Sequence, residues 1–222
     1  MDLQGKRVVV TGAGGALGRA VVARAEASGA GVVQLDIAFP PGAGPGCHVV
    51  DLADAAATAA CFASLGAVDV LMNVAGGFSM GPRTWEVSDT EWEQMFSINV
   101  RTLQNAVRAV VPGMIEAGRG SIVNVGALGA LKGQGCMSAY TSAKSVVMRL
   151  TESLSAELKD QGINVNAVLP SLIDTPRNRA DMPGSDYSRW VGVDDLAAVM
   201  CFLGSDAARA VHGVLLPVSG LV

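Results

Sequence analysis

Short apolar runs rich in β-branched residues alternate along this chain with longer segments whose apolar positions recur at helical spacing. Strand-like runs fall at residues 7–11, 32–36, 47–50, 68–73, 121–125, 163–169 and 214–218. Helical segments fall at 16–28, closed by Gly29, at 54–64, at 138–159, stopped by Gly162, and at 194–203. Ser88-Asp89-Thr90-Glu91 reads as a capping box, the serine hydroxyl taking a backbone N–H and the glutamate returning the bond. It opens a long helix that runs past Asn99 toward Pro112 and Gly118. The strand runs are apolar on both alternations, as strands buried on both faces require. Regular alternation of strand and helix predicts an α/β architecture. The expected form is a single doubly wound domain over residues 1–222, with a seven-stranded parallel sheet and helices on both faces. Such a sheet binds its ligand beyond the carboxyl ends of the strands, so the chemistry is sought there.

Composition narrows the function classes. Half of the 222 residues are apolar, only 16% are charged and the mean hydropathy is +0.38, values that exclude a disordered chain. No apolar run reaches the ~18 residues of a spanning helix. Sixteen Lys and Arg against 20 Asp and Glu leave a net charge of −4. With no basic run, neither nucleic acid nor a membrane is an expected partner. The chain passes from Met1-Asp2-Leu3-Gln4-Gly5 directly into the first strand, without a charged and then apolar leader. Cys47, Cys61, Cys136 and Cys201 are scattered. Together these features predict a cytoplasmic protein with reduced thiols and no metal site. Residues 39–46, rich in Pro and Gly, read as a surface loop.

The 27 glycines gain meaning after the first strand, in Thr11-Gly12-Ala13-Gly14-Gly15-Ala16-Leu17-Gly18-Arg19. Glycine permits the tight turn and close backbone approach that a pyrophosphate needs, and the helix that follows offers free N–H groups and a positive dipole end. Asp36 ends the second strand, where an acid can accept from both adenosine ribose hydroxyls and would repel a 2′-phosphate. Loop and acid together predict a dinucleotide site that prefers NAD(H). Tyr140 and Lys144 stand four apart on one helix face. An ammonium beside a phenol is expected to lower the phenol's pKa and make it a usable acid or base.

With the glycine loop and Asp36, this pair makes the chain resemble the short-chain dehydrogenase/reductase family over essentially its whole length, which implies a Rossmann-type fold. Gly12, Gly14, Gly15, Ala16, Leu17 and Gly18 resemble that family's T-G-x-x-x-G-x-G loop, with Ala16 in place of the middle glycine. Asp51-Leu52 resembles the pair that contacts adenine, and Asn73-Val74-Ala75-Gly76 resembles the N-N-A-G turn. Asn99 falls where the family's catalytic asparagine binds a lysine-linked water, and Tyr140 and Lys144 match its acid/base and lysine. Pro170-Ser171-Leu172-Ile173-Asp174-Thr175 resembles P-G-x-x-x-T, where the backbone of Ile173 and the side chain of Thr175 would hold a nicotinamide carboxamide. The resemblance implies an NAD(H)-dependent oxidoreductase acting on a small molecule, assembled as a homodimer or homotetramer through the helices that carry Asn99 and Tyr140.

One position departs. The family's catalytic serine lies thirteen residues before the tyrosine, and Ala127 stands there. Loss of such a donor typically costs about 10²–10³ in rate. Another hydroxyl could substitute, with Ser138, Thr141 and Ser171 as candidates; the substrate could do without it; or the chain could be a catalytically silent NAD(H) sensor or scaffold. The second option draws on a closer local resemblance to dihydropteridine reductases, which keep the Tyr and Lys but lack the serine. Gly15-Ala16-Leu17-Gly18 and Ala75-Gly76-Gly77-Phe78 match them. So does the string Leu169-Pro170, Asp174-Thr175-Pro176, Asn178-Arg179, Met182-Pro183, Asp186, Ser188 and Trp190, for which the sequence offers no evident structural need beyond Met182, Tyr187 and Trp190 packing a lid. The expected substrate is a dihydropteridine-like C=N heterocycle. Ile163-Asn164-Val165-Asn166-Ala167-Val168 instead looks like the oxoacyl-reductase type, so a ketone or 3-oxoacyl substrate is the alternative. Residues 171–190 form the expected short substrate lid, with Ala127, Ser171, Met182 and Trp190 as candidate substrate contacts. Arg177, Arg179 and Arg189 read as solvated surface before anion binders, and Asp194-Asp195 as helix-opening acids. His48 and His212 have no partner at meaningful spacing.

Overall fold

A computed structural model describes residues 2–222. Its seven strands are β1 (Arg7–Thr11), β2 (Gly31–Asp36), β3 (Cys47–Val49), β4 (Val70–Asn73), β5 (Gly120–Val125), β6 (Ile163–Pro170) and β7 (Leu215–Val218). All pair in parallel, in the order β3-β2-β1-β4-β5-β6-β7. The order reverses between β1 and β4, and the carboxyl ends of these two strands, Thr11 and Asn73, lie side by side in register. That is the switch point where such a sheet opens a ligand crevice. The expected fold is the observed one.

The period-two geometry of a strand sorts the core into two layers. Val8 and Val10 of β1 face helices α1 (Ala16–Ala27) and α7 (Val193–Gly204), packing with Val21, Leu196 and Met200. Val9, between them, faces the other way, into a layer shared by α2 (Ala55–Leu65), α4 (Thr102–Ala117) and α5 (Ser138–Leu158). Leu71, Ile122, Phe62, Val107 and Val147 fill that layer. Each such fully buried aliphatic side chain contributes roughly 1.5–3 kcal/mol.

The long helix expected from Ser88 onward is two helices. α3 (Asp89–Phe96) and α4 flank a π-helical turn, Ser97–Arg101. Asn99 sits in this turn, and its Nδ2 donates to the Met95 carbonyl four residues back at 3.0 Å. A side chain that takes a carbonyl from the helix ladder favours this local widening, and single π turns concentrate at functional sites. The capping box is half right. Ser88 accepts the Glu91 N–H at 3.2 Å, but the Glu91 carboxylate takes the Ser79 hydroxyl instead of returning to the cap. α4 continues through Pro112 and ends at Gly118, whose φ of 63° suits a residue without Cβ. The lid, for which the sequence suggested no elements, contains α6 (Pro176–Asp181).

Candidate active site

At the end of β1 the chain turns through Gly12 at φ +64°, where a Cβ would lie 2.8 Å from the backbone of Ala75. A Cβ on Gly18 would overlap the Gly12 carbonyl and approach the Ala13 Cα to 2.7 Å. Loop, helix and the β4 turn therefore touch backbone to backbone. Thr11 fixes the contact from below, its Oγ1 accepting the N–H groups of Val74 and Ala75 at 3.1 Å each. No side chain caps α1 at Gly15 and no acid lies in its first turn, so its leading N–H groups remain available for an anion. Asp36 faces this cradle, Oδ2 accepting the Gly14 N–H at 2.8 Å and Oδ1 the Ile37 N–H at 2.7 Å. Each carboxylate oxygen keeps a further lone pair for a hydroxyl. The cradle fits a dinucleotide.

Two of the predicted cofactor residues bury their side chains in the core. Leu17 packs in the α1 layer and Leu52, 4% exposed, in the α2 layer, so neither presents a side chain to a ligand. Ala16 opens α1, and the exposed Asp51 directs Oδ1 to the Ala53 N–H at 2.9 Å. Asn73 is also turned inward. Its Nδ2 donates to Asn124 at 2.9 Å, and Asn124 donates in turn to Thr151 on α5 at 2.9 Å. Asn73 is thus a buried brace below the crevice, with its Oδ1 left unpartnered. Sequence reasoning missed Arg19, whose guanidinium folds back onto the Gly14 carbonyl and sets a cation at the loop; the signal was its place directly after Gly18.

The reacting end is built on α5. Lys144, buried, donates to the Val125 carbonyl at the end of β5 at 2.8 Å, which leaves further ammonium protons free. Asn99 is clamped to Gly77, donating to its carbonyl and accepting its N–H at 3.1 Å each. Gly76 lies between these groups: a Cβ there would come within 2.7 Å of Asn99 Oδ1 and 3.3 Å of Lys144 Nζ. Asn99, Lys144 and the Ala75-Gly76 turn are thereby gathered at one point. Tyr140 stands one turn before Lys144, in edge contact with the ring of Phe78. Burial pushes the Tyr140 hydroxyl up to about 12 and the Lys144 ammonium down to about 8. This corrects the expectation of a lowered tyrosine. Desolvation by burial disfavours the phenolate, and Tyr140 is held protonated.

Ala127 is 4% exposed and extended, packed with Ala130, Met148 and Leu169 beside Tyr140. The three candidate substitutes are engaged elsewhere or buried. Ser171 donates to the Ser219 carbonyl at 2.7 Å and Thr141 to the Met137 carbonyl at 2.9 Å, while Ser138 Oγ is buried without a partner. So bonded, Ser171 has no proton to spare for a substrate carbonyl, while its oxygen remains free to accept.

The lid is knit to itself. Ile173 bridges Val191, the Thr175 hydroxyl accepts the Asn178 N–H, and Asn178 Nδ2 donates to the Ile173 carbonyl at 2.8 Å. As an acceptor in that cap, Thr175 retains its own proton for a carboxamide. Pro170 ends β6 immediately before the lid. Arg179 grips Asp174 in a two-pronged pair at 2.6 and 2.7 Å and lies over the Tyr187 ring. The Tyr187 hydroxyl donates toward the Arg179 and Met182 carbonyls, and its ring meets Trp190 edge-on at 4.8 Å. Trp190 is only 8% exposed, a packing anchor and not an open substrate contact; Met182 is half-buried. The Asp174–Trp190 string thus has a structural cause: the expected packing of Met182, Tyr187 and Trp190, together with the Asp174–Arg179 pair that the sequence did not reveal. The arginines are engaged within the lid and the C-terminal turn, Arg177 with Asp181 and Arg189 with the Leu221 carbonyl.

A dinucleotide cradle at the switch point, with Tyr, Lys and Asn converging one strand away, defines a nicotinamide-dependent oxidoreductase. The family model for short chain dehydrogenases matches residues 46–185, a span that contains Asn99, Tyr140 and Lys144. The chain is 36% identical to 2-keto-3-deoxy-L-fuconate dehydrogenase of Xanthomonas campestris pv. campestris, over 95% of its own length and 78% of that protein. It is 33% identical to L-xylulose reductase of Bos taurus, over 99% and 98% of the two chains. A proposed NAD(P)-dependent gluconate 5-dehydrogenase from Beutenbergia cavernae, solved with NADP at low occupancy, superposes with a TM-score of 0.90 at 30% identity, covering 99% and 97%. The chain belongs to the short-chain dehydrogenase/reductase family. Among the described residues no helix is long and apolar enough to cross a membrane, and the four cysteines are free thiols.

Proposed function

We propose that this chain is a cytoplasmic, NADH-preferring reductase that delivers hydride to a C=O or C=N carbon of a small molecule, with Tyr140 as the proton donor. The observation that carries this reading is the pair on α5: a half-buried tyrosine held protonated one turn from a buried lysine whose charge is labile near pH 8. When bound, the reduced nicotinamide supplies two electrons as hydride. The backbone of the glycine loop would hold the diphosphate and Asp36 the adenosine ribose, while Thr175 and the Ile173 backbone would hold the carboxamide. Tyr140 gives its proton to the reduced oxygen or nitrogen. Lys144 stabilises the phenolate while still charged, and Asn99, clamped to Gly77 and packed with Lys144 against Gly76, feeds the proton relay. The preference for NADH rests on Asp36, whose charge opposes a 2′-phosphate; Arg19 and the NADP-bound neighbour weigh on the other side. The helices carrying Asn99 and Tyr140 would form the faces of a homodimer or homotetramer.

The relatives named for sugars and sugar acids favour a ketone or secondary alcohol as the reacting group. A dihydropteridine-like C=N heterocycle is the second reading, favoured by Ala127, since such a ring needs no carbonyl-polarising hydroxyl. The lid string no longer adds to that reading, because its residues bond to one another. Following NADH absorbance with quinonoid dihydropterin and with a ketose panel ranks the two. Tyr140→Phe should lower turnover by about 10²–10⁴. Full turnover without the hydroxyl would remove Tyr140 as donor, and NADH binding with no turnover on any substrate would make the chain a sensor.

A further inference from the structure

The surface around Tyr140 differs in chemistry from what a polyol would require. Phe78 follows the Gly77 that is clamped on both sides to Asn99, so its backbone is anchored beside the catalytic groups. Its ring lies 4.9 Å from that of Tyr140, at 76° between planes, yet is 51% exposed. The ring is therefore half open to solvent while in contact with the ring that carries the reacting hydroxyl. Ala127 also packs beside Tyr140, a methyl at the position of the family's catalytic hydroxyl. The loop carrying Phe78 and Met80 is joined to the loop carrying Leu131 by the Gly81 N–H to Cys136 carbonyl bond at 3.0 Å, and Met80 and Leu131 are exposed. Two polar side chains of these loops are engaged locally, Ser79 with Glu91 and, at the exposed surface, Gln134 with the Gly129 carbonyl.

A sugar's hydroxyls need convergent polar partners, because a buried polar group without one is costly. A flat conjugated ring needs an aromatic face and apolar edges. Resting on the hydride-transfer reading above, we propose that Phe78 is the specificity-determining residue of this site. It would stack the face of a planar, conjugated ketone or imine so that the reacting carbon lies beside Tyr140. The reaction balances as before: two electrons arrive as hydride from NADH, the C=O or C=N π bond breaks, and the proton on oxygen or nitrogen comes from Tyr140.

The test compares NADH oxidation with isatin and 9,10-phenanthrenequinone against L-xylulose, together with calorimetric binding of isatin to the protein saturated with NAD⁺. The flat substrates should lead L-xylulose in kcat/KM by about tenfold or more. Phe78→Ala should raise their KM and weaken isatin binding about tenfold with a smaller change in kcat, and Phe78→Tyr should restore both. L-Xylulose outpacing the flat substrates, or Phe78→Ala leaving isatin binding unchanged, would overturn the assignment while the hydride-transfer reading stands. No turnover of any of the three by NADH-binding protein would overturn that reading, and this assignment with it.

Discussion

The glycine loop after β1 and the lid after β6 both leave the carboxyl end of a strand, and they are built on opposite principles. The loop is nearly bare backbone: Gly12 and Gly18 press against other main chain, and the N–H groups opening α1 are left uncapped. The lid is knit by side chains, with Asp174 on Arg179, Asn178 on the Ile173 carbonyl and Tyr187 against Trp190. A surface meant to take a diphosphate must keep its donors unsatisfied and its walls thin. A surface meant to stay in place over a crevice satisfies its own. The same strand-end position thus yields a receptor in one case and a self-supporting cover in the other.

The contrast can be broken most sharply in the loop. Gly18→Ala, which drives a methyl into the Gly12 carbonyl, should lower NADH affinity by about a hundredfold or more in a fluorescence titration, since helix and loop cannot both keep their places. Asp36→Ala should shift the NADH-to-NADPH preference about tenfold toward NADPH, with Arg19 supplying the cation that remains; steady-state kinetics with both cofactors reads it. Lys144 adds a pH signature. Its pKa is depressed from the ordinary lysine value to about 8, so the ammonium is present below that pH and lost above it. The rate of reduction should therefore fall as pH rises through about 8, toward tenfold per unit at the steep end, while Tyr140, raised to about 12, stays protonated. In the lid, Asp174→Asn removes one member of a solvent-exposed pair and should change KM by no more than about twofold. A larger effect there than at Gly18 would invert the comparison.

Strands and helices were legible because seven runs apolar on both alternations can be buried only between two helix layers, and all seven appear within two residues of the expected bounds at each end. The break at Asn99 was not legible: a π turn shifts the helix by one residue without disturbing the apolar pattern on either side. At the candidate site, spacing along one helix placed Tyr140 and Lys144 correctly, since four residues make one turn. Their protonation could not be read from that spacing, because it depends on desolvation by residues distant in sequence. Leu17 and Leu52 were placed in the right loops, but which way a side chain turns is a property of packing. In the lid, the packing of Met182, Tyr187 and Trp190 was an option the sequence offered, but the polar pairings were not legible, for a related reason. The partners, Asp174 with Arg179 and Tyr187 with the carbonyls of Arg179 and Met182, are local contacts that become visible only once the chain has turned back on itself.

The amide chain from Asn73 through Asn124 to Thr151 has a consequence for assembly of the sheet. Asn73 and Asn124 are register partners on β4 and β5, both buried between the helix layers. Sliding β5 by one residue would turn Asn124 to the opposite layer and strand two amides in hydrocarbon, at about 1–3 kcal/mol for each group left unpaired. Valines and isoleucines on either side would tolerate that slip far better. The amides act as a key cut for one alignment, and because Thr151 belongs to α5, the same key sets the height at which Tyr140 and Lys144 stand above the sheet.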